Sequence, residues 1–216
     1  QGRTARMIHD GPLAGGQVHT FTVDGDALPP GVYILQVVAK GSIDRLFAVT
    51  PAMVWQGGYL WQPFTYMWLH STYGIMHLLF NMFTFYFFAF PMERLIGTTR
   101  FLILYFVGLV LSHTCTYVKQ RNNPEYASLG ASGAVSAVLF AYIVYFPTAT
   151  LMILPLPIPI PAALFAVGYV GYSWWASEHS RGRINHDAHL CGALSGLAFV
   201  AVTDLGAYAR LPAILT

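Results

Sequence analysis

The sequence predicts an all-α polytopic membrane protein, and its composition and charge distribution carry that prediction. Of the 216 residues, 56% are hydrophobic and 15% aromatic, whereas only 9% are charged, against roughly 25% in an average soluble domain. The charges are also unevenly spread, since none lies between Arg45 and Glu93 or between Glu125 and Glu178. A surface that faces water cannot be built from such stretches, so a soluble enzyme is excluded.

Charge and cysteine content narrow the possible partners and cross-links. The formal net charge is +2 and the chain has no basic run, which argues against a nucleic-acid partner. The two cysteines, Cys115 and Cys191, both fall in apolar stretches. Thiols in such places are most often small core residues, and a disulfide framework usually needs more cysteines in a shorter chain. We therefore expect two packing residues rather than a disulfide.

The first 50 residues differ in pattern from the rest of the chain. Apolar and polar residues alternate over residues 19–23, residues 32–38 are β-rich, and Gly and Pro turn signals stand between them. Two or three strands are expected here, because these apolar runs are far shorter than the roughly 20 residues of a spanning helix. The segment weakly resembles the last strands of a secreted β-sandwich module. We assign residues 1–50 to this β-like segment and residues 51–216 to a transmembrane domain.

Beyond residue 50 the pattern predicts about five membrane-spanning helices. Each is bounded by charge, Pro or Gly and approaches the length that a bilayer core demands. The stretch from Trp55 to Trp68 fits an interfacial loop, because tryptophan favours the headgroup level. Residues 154–161, LPLPIPIP, predict a loop because alternating proline cannot form a helix. The predicted spans lie at about 75–92, 100–118, 131–147, 161–176 and 189–206.

Four polar residues lie at or near the starts of these spans, where polar groups are costly and tend to be functional. His77 and Asn81 are four residues apart and project from one face of the first span. Ser132 begins the third span in GASGA, and His189 opens the last span in HLCGALSG. Each has an ordinary structural explanation when taken alone, because serine bonds to its own helix, histidine sits at interfaces and asparagine links helices.

Together, however, these motifs resemble the rhomboid family of intramembrane serine proteases. The matching features follow one another in the family's order: WQPFTYMWLH, HLLFNM, MERLIG, GASGA and AHLCGALSG. The patterns HxxxN, GxSG and HxxGxxxG stand on three separate spans, and their coincidence makes the resemblance specific. The resemblance implies a rhomboid-like helical bundle.

The resemblance also implies a role for each polar residue. Ser132 would be the nucleophile and His189 its general base, which is a dyad without a carboxylate. A serine hydroxyl becomes a strong nucleophile only when a neighbouring base accepts its proton. His77 and Asn81, with the backbone N–H of Ser132, would donate hydrogen bonds to the oxyanion, where fixed donors stabilise developing charge.

Further expectations concern packing, cofactors and location. Gly130 and Gly133 beside the nucleophile, and Gly192 and Gly196 after His189, are expected to let helices and substrate approach closely. No metal or organic cofactor is implied. The substrates would be transmembrane proteins within the lipid bilayer, and we expect a multi-pass protein of the bacterial inner membrane.

The chain departs from the family pattern at three places. The β-like segment stands where the family usually has a first span, and Trp61-Gln62 replaces a usual Trp-Arg pair. Ser136 stands where the family often has an aromatic residue against which the catalytic histidine packs. We therefore expect His189 to be held less firmly than in such relatives. Asp187 lies two residues before His189, where a triad-like bond is awkward.

Two other functions compete with a protease. One is a catalytically weak or inactive rhomboid-like protein that binds membrane-protein clients without cleaving them. Such a binder has no reason to keep Ser132 and His189 beside His77 and Asn81. The other is a small transporter or channel, which acids within the spans would favour. Between Arg100 and Glu178 the only acid is Glu125, in a loop.

Overall fold

The structure, a computed structural model, describes residues 46–70, 75–123, 126–153, 158–179 and 184–214. All of these residues belong to one compact unit of the chain. Of the predicted β-like segment, only residues 46–50 are among them, where Val49 forms an antiparallel bridge with Ser128. The rest of that segment lies outside the described residues, so its assignment stays a prediction.

Five helices of 14 to 23 residues lie at the five predicted spans, which confirms the all-α polytopic bundle. Two of them, α3 and α4, are long and apolar enough to cross a membrane, and α5 is a shorter apolar helix. Two short helices and a 3₁₀ turn occupy the Trp-rich stretch, and a second 3₁₀ segment, Leu205–Ile214, follows α7. The helices are α1 (Pro51–Gln56), α2 (Gln62–Thr65), α3 (Ile75–Ile96), α4 (Thr98–Gln120), α5 (Ser132–Tyr145), α6 (Ala162–His179) and α7 (His186–Thr203).

The boundary between α3 and α4 lies a few residues beyond the predicted one. α3 continues through Pro91 to Ile96, because a membrane helix tolerates a proline when neighbouring groups satisfy its freed carbonyl. The chain then turns at Gly97, whose φ of +81° is a conformation that glycine adopts readily. The Thr98 hydroxyl donates a hydrogen bond of 2.9 Å to Glu93 Oε1 and so closes the turn.

Two paired strands stand in the connection between α5 and α6, which corrects the prediction of a loop at residues 158–161, whereas residues 154–157 of that prediction lie outside the described residues. Strand β1 (Thr150–Ile153) pairs antiparallel with β2 (Ile158–Pro161). Just outside the pair, the Ala162 N–H donates to the carbonyl of Ala149 at 2.9 Å. Since hydrogen-bonded pairs alternate along an antiparallel ladder, both prolines of β2 fall at positions that need no N–H. Alternating proline therefore excludes a helix but not a pair of antiparallel strands.

Helix α5 forms the centre of the bundle. All of its residues except Ser132 and Tyr142 are buried, as expected for a helix that is apolar on every face. Its most extensive contact is with α7, followed by α4 and α3, and α6 packs mainly on α7. The predicted site residues are thus carried by the most enclosed helix and its neighbours.

The two cysteines are joined, which corrects the expectation of two unpaired packing residues. Cys115 of α4 and Cys191 of α7 form a disulfide with 6.3 Å between their Cα atoms. The cysteine count could not indicate this bond, because it depends on α4 and α7 packing side by side. That packing brings together two residues 76 positions apart and places a covalent link two residues from His189.

Candidate active site

Ser132 and His189 lie in hydrogen-bond contact. The distance between Ser132 Oγ and His189 Nε2 is 2.8 Å, although the residues are 57 positions apart. Ser132 is the first residue of α5, and His189 lies in the first turn of α7. With its proton on Nδ1, the imidazole can accept the serine proton at Nε2, which is the geometry that a general base requires.

Glycine brings α5 and α7 into backbone contact beneath this pair. A Cβ atom added at Gly192 would overlap the carbonyl oxygen of Gly133, and one at Gly196 would overlap that of Ala137. A Cβ at Gly133 would in turn overlap the side chain of Ser112 on α4. The structure therefore places three of the four predicted glycines at helix contacts that have no room for a side chain.

The fourth glycine, Gly130, joins α3 to the start of α5. Its φ is +102°, a backbone conformation that residues other than glycine rarely adopt. A Cβ atom added there would lie 2.7 Å from Cε1 of His77. Its N–H donates to the carbonyl of Tyr66 at 2.9 Å. The His77 ring thus lies against the turn that leads into Ser132, and the Trp-rich stretch holds the same turn from another side.

The two predicted oxyanion donors differ in their surroundings. The His77 ring centroid is 5.5 Å from that of His70. Asn81 is buried, and its Nδ2 donates a hydrogen bond of 2.8 Å to the carbonyl of His77. That bond uses one of the two hydrogens that an amide nitrogen carries.

Asn185, which none of the sequence motifs contains, links three parts of the site. Its Oδ1 accepts a hydrogen bond of 3.0 Å from the N–H of Ala188 and so caps α7. Its Nδ2 donates to the hydroxyls of Thr116 on α4, at 2.9 Å, and of Ser128 before α5, at 3.1 Å. The position immediately before a helix is one that asparagine favours, and that signal could have identified it.

Tyr169 of α6 is a second residue of the site that no sequence motif indicated. Its ring lies nearly parallel to the His189 imidazole, with 6.4 Å between centroids and 23° between planes. Its hydroxyl is 2.9 Å from the hydroxyl of Ser136. An aromatic ring therefore does pack against His189, although Ser136 itself supplies none.

Asp187 takes part in an ion pair. Its Oδ1 lies 3.2 Å from Nζ of Lys119, which also approaches Glu178 Oε1 at 3.7 Å. These side chains are partly or largely exposed, so the pairs contribute little stability. Their placement nevertheless joins the ends of α4, α6 and α7 and gives the Asp187 carboxylate a structural partner.

The buried Tyr66 and the half-buried Tyr126, which lie near the turn that leads into Ser132, remain protonated over the whole physiological pH range. Burial raises the pKa of Tyr126 to about 12, although a hydrogen bond with Ser128 acts in the opposite direction. Burial also raises the pKa of Tyr66, whose hydroxyl donates to the carbonyl of Leu109 at 3.2 Å. Both phenols are therefore neutral, and the Tyr66 hydroxyl links the Trp-rich stretch to α4.

Metal ligands are grouped nowhere in the part of the chain that the structure describes. Within those ranges, no three His, Cys, Asp or Glu side chains come together in a way that could hold a metal ion. The expectation that the chemistry needs no metal or organic cofactor stays a prediction.

The sequence of the helical bundle is similar to those of known proteins over most of its length. A protein-family model described as "Rhomboid domain" matches residues 57–204. The chain is 33% identical over 139 residues to "Presenilin-associated rhomboid-like protein A, mitochondrial" of Danio rerio, covering 60% of this chain and 34% of that protein. It is 31% identical over 109 residues to "RHOMBOID-like protein 6, mitochondrial" of Arabidopsis thaliana, covering 49% of this chain and 33% of that protein.

A bacterial relative extends this comparison. The chain is 35% identical over 86 residues to YdcA of Bacillus subtilis (strain 168), which is named as a candidate rhomboid protease. That match covers 40% of this chain and 41% of the relative, so the chain spans between a third and about two fifths of these proteins. Since two of the three are named as mitochondrial, the predicted bacterial inner membrane is not confirmed.

Proposed function

This chain belongs to the rhomboid family, and we propose that it is a serine endopeptidase that cleaves membrane proteins in or near their transmembrane segments. The observation that carries the proposal is the 2.8 Å contact between Ser132 Oγ and His189 Nε2. A serine on an apolar helix usually bonds to its own backbone, as Ser195 does with the carbonyl of Gly192. Ser132 bonds to an imidazole from another helix instead, and that contact supports a catalytic use of its hydroxyl.

In the first step, His189 accepts the hydroxyl proton at Nε2 while Ser132 Oγ attacks the carbonyl carbon of the scissile bond. The resulting tetrahedral intermediate carries its negative charge on the former carbonyl oxygen. His189 then returns the proton to the departing amine, which leaves an acyl group on Ser132. A water molecule, deprotonated by the same imidazole, releases that acyl group and restores the enzyme.

The start of α5 supplies the first stabilising group for the oxyanion. The first backbone N–H groups of a helix have no partner within it, and Ser132 is the first residue of α5. The helix dipole also favours negative charge at this end. His77, packed against Gly130, and Asn81, one turn further along α3, add the side-chain donors of the proposal.

The class of substrate follows from the environment of the dyad. The chain is an integral membrane protein of the rhomboid family, and the two helices with the clearest spanning character, α3 and α4, both border α5. Membrane-protein substrates can meet such a bundle from within the bilayer. We retain the bacterial inner membrane as our proposal for its location, and the relatives named above come from mitochondria and from a bacterium.

Labelling by a fluorophosphonate probe tests the proposal, because the probe reacts only with an activated serine. We expect the full-length protein in detergent to be labelled, and Ser132→Ala and His189→Ala to lose both labelling and cleavage of a transmembrane substrate. Ser195→Ala is the matched control, since it removes a buried hydroxyl on α7 that bonds only to backbone among the described residues. Labelling of Ser132→Ala at the wild-type rate would overturn the assignment of the nucleophile.

The client-binding alternative has its own outcome in this experiment. A folded wild-type protein that captures membrane proteins yet is neither labelled nor able to cleave them would establish the non-catalytic function. Equal client binding by wild-type and Ser132→Ala proteins, together with cleavage by the wild type alone, would establish the protease.

A further inference from the structure

The His189 ring has an aromatic neighbour that comes from a helix outside the dyad. Tyr169 projects from the middle of α6, and its ring is nearly parallel to the imidazole, at 23° and 6.4 Å between centroids. Offset stacking at such a separation is a favoured arrangement for two planar rings. The imidazole of the proposed base therefore lies beside a nearly parallel ring from a different helix.

Contacts on several sides hold Tyr169 in this place. Its hydroxyl is 2.9 Å from Ser136 Oγ, and its ring centroid lies 5.3 Å from that of Phe140 and 5.5 Å from that of Phe165. Ser136 and Phe140 lie on α5, the same helix as the nucleophile. The tyrosine thus connects the helix of Ser132 to the ring of His189 through contacts that involve neither reacting atom.

We propose that Tyr169 is a positioning residue for His189 and that the Ser136 hydroxyl holds the Tyr169 side chain in place through their hydrogen bond. The inference rests on the proposed dyad. An imidazole can turn about two side-chain bonds, and proton transfer demands that Nε2 stay aimed at Ser132 Oγ. Stacking on Tyr169 restrains the ring plane, and the bond to Ser136 restrains Tyr169 relative to the helix of the nucleophile.

The position of Ser136 explains why α6 supplies this ring. Ser136 follows Ser132 by one helical turn, so it lies on the same face of α5. Its small side chain leaves the space into which Tyr169 reaches, and its hydroxyl gives the half-buried phenol a partner beside the apolar rings of Phe140 and Phe165. A phenol buried without such a partner is costly, so Ser136 and Tyr169 form a matched pair.

Four variants of the full-length protein test this pair. Tyr169→Leu removes the ring, Tyr169→Phe removes only the hydroxyl, and Ser136→Ala removes the partner hydroxyl. Trp174→Leu is the control, because it removes a larger ring from an exposed position on the same helix. Tyr172 is unsuitable as a control, since its ring contacts His186, which in turn contacts His189.

We expect Tyr169→Leu to lower kcat and the rate of fluorophosphonate labelling by about tenfold or more, with KM nearly unchanged, because small displacements of reacting groups are costly. Tyr169→Phe should recover most of the rate, and Ser136→Ala should match it. The double variant Tyr169→Phe/Ser136→Ala should be no slower than either single variant, because both changes break the same bond. The control should label at the wild-type rate.

The outcomes separate this inference from the proposed function. An unlabelled wild-type protein contradicts the protease itself. A labelled wild type with an equally labelled, folded Tyr169→Leu variant overturns only the positioning role. If Tyr169→Leu does not fold, the double variant decides: equal, measurable losses in the two single variants that do not multiply in Tyr169→Phe/Ser136→Ala support the pair, whereas losses that multiply, or single variants at the wild-type rate, overturn it.

Discussion

The helices that carry the candidate site meet α5 in two different ways. α7 approaches it through glycine, so that added side-chain atoms at Gly192 or Gly196 would overlap carbonyl oxygens of α5. α3 approaches it through aromatic rings, as where Phe88 lies edge-on to Tyr142 with 5.0 Å between centroids. The proposed nucleophile and base thus lie at a backbone contact, whereas the proposed side-chain oxyanion donors lie on a helix held by large side chains.

The other faces of the two helices extend this contrast. α7 is joined to α4 by the Cys115–Cys191 disulfide and by the bonds of Asn185. α3 has few buried residues, and it exposes a row of rings: Phe80, Phe83, Tyr86, Phe87 and Phe90. A contact between two helix backbones has no room for an added side-chain atom, whereas neighbouring side chains can change conformation to accommodate one. The relative position of Ser132 and His189 should therefore be the most sensitive feature of the molecule.

The largest expected effect comes from adding bulk between α5 and α7. Gly192→Val and Gly196→Val should each reduce cleavage by about a hundredfold or more, because a displacement of about 1 Å between reacting groups is enough for such a loss. Both variants should also melt at a lower temperature than the wild type. Cleavage of a transmembrane substrate and thermal unfolding in the same detergent measure the two effects.

Glycines on α6 provide the matched control for this prediction. A Cβ added at Gly168 or at Gly171 would meet no described atom within 4 Å. Gly168→Val and Gly171→Val should therefore remain active and stable. Wild-type rates in Gly192→Val and Gly196→Val would show that α5 and α7 can separate without cost, and the contrast between the two kinds of contact would fail.

The sequence predicted the helices well, because the length of an apolar stretch is enough to indicate a membrane-spanning helix. All five predicted spans correspond to helices, and the errors lie at ends such as that of α3, where Pro91 marks no boundary. The contacts between the helices of Ser132 and His189 could be anticipated, because residues four positions apart, such as Gly192 and Gly196, share one helix face. Family resemblance then indicated which faces belong together.

Features that depend on how two helices are rotated against each other could not be read from the sequence. Helix α6 carries aromatic residues on several faces, and nothing local shows that Tyr169 is the one that reaches His189. Cys115 and Cys191 pair for the same reason, since their contact depends on the packing of α4 and α7. The pair of strands was missed because the rule that excludes proline from helices does not exclude it from every strand position.

An intermediate effect is expected on α3. Asn81→Ala should lower kcat by about a hundredfold and leave KM nearly unchanged, because an oxyanion donor acts mainly as charge develops. His77→Ala should behave likewise. Thr84→Ala is the control, since Thr84 makes the same kind of bond, 2.8 Å to the carbonyl four residues earlier on the same helix. A rise in KM alone would make either residue a binding or packing group.

The smallest expected effect concerns the attachment of α7 to α4 and to the loop before Ser132. The Asn185 side chain caps α7 and also donates to Thr116 and Ser128. Asn185→Ala should lower kcat by about tenfold, since the loss of a cap costs about 1 kcal/mol and buried partners lose their bonds. Thr116→Val separates the two roles, because it removes one partner hydroxyl and leaves the cap of α7 in place.

If bridging positions the dyad, Thr116→Val should turn over more slowly than the wild type, with the loss confined to kcat. If only the cap matters, Thr116→Val should have the wild-type kcat, whereas Asn185→Ala should have both a lower kcat and a lower melting temperature. Asn123→Ala, which changes an exposed asparagine between α4 and α5, should alter neither quantity. Full activity in Asn185→Ala would mean that the glycine contacts and the disulfide suffice to hold α7, and that the hydrogen bonds of Asn185 add nothing to the position of His189.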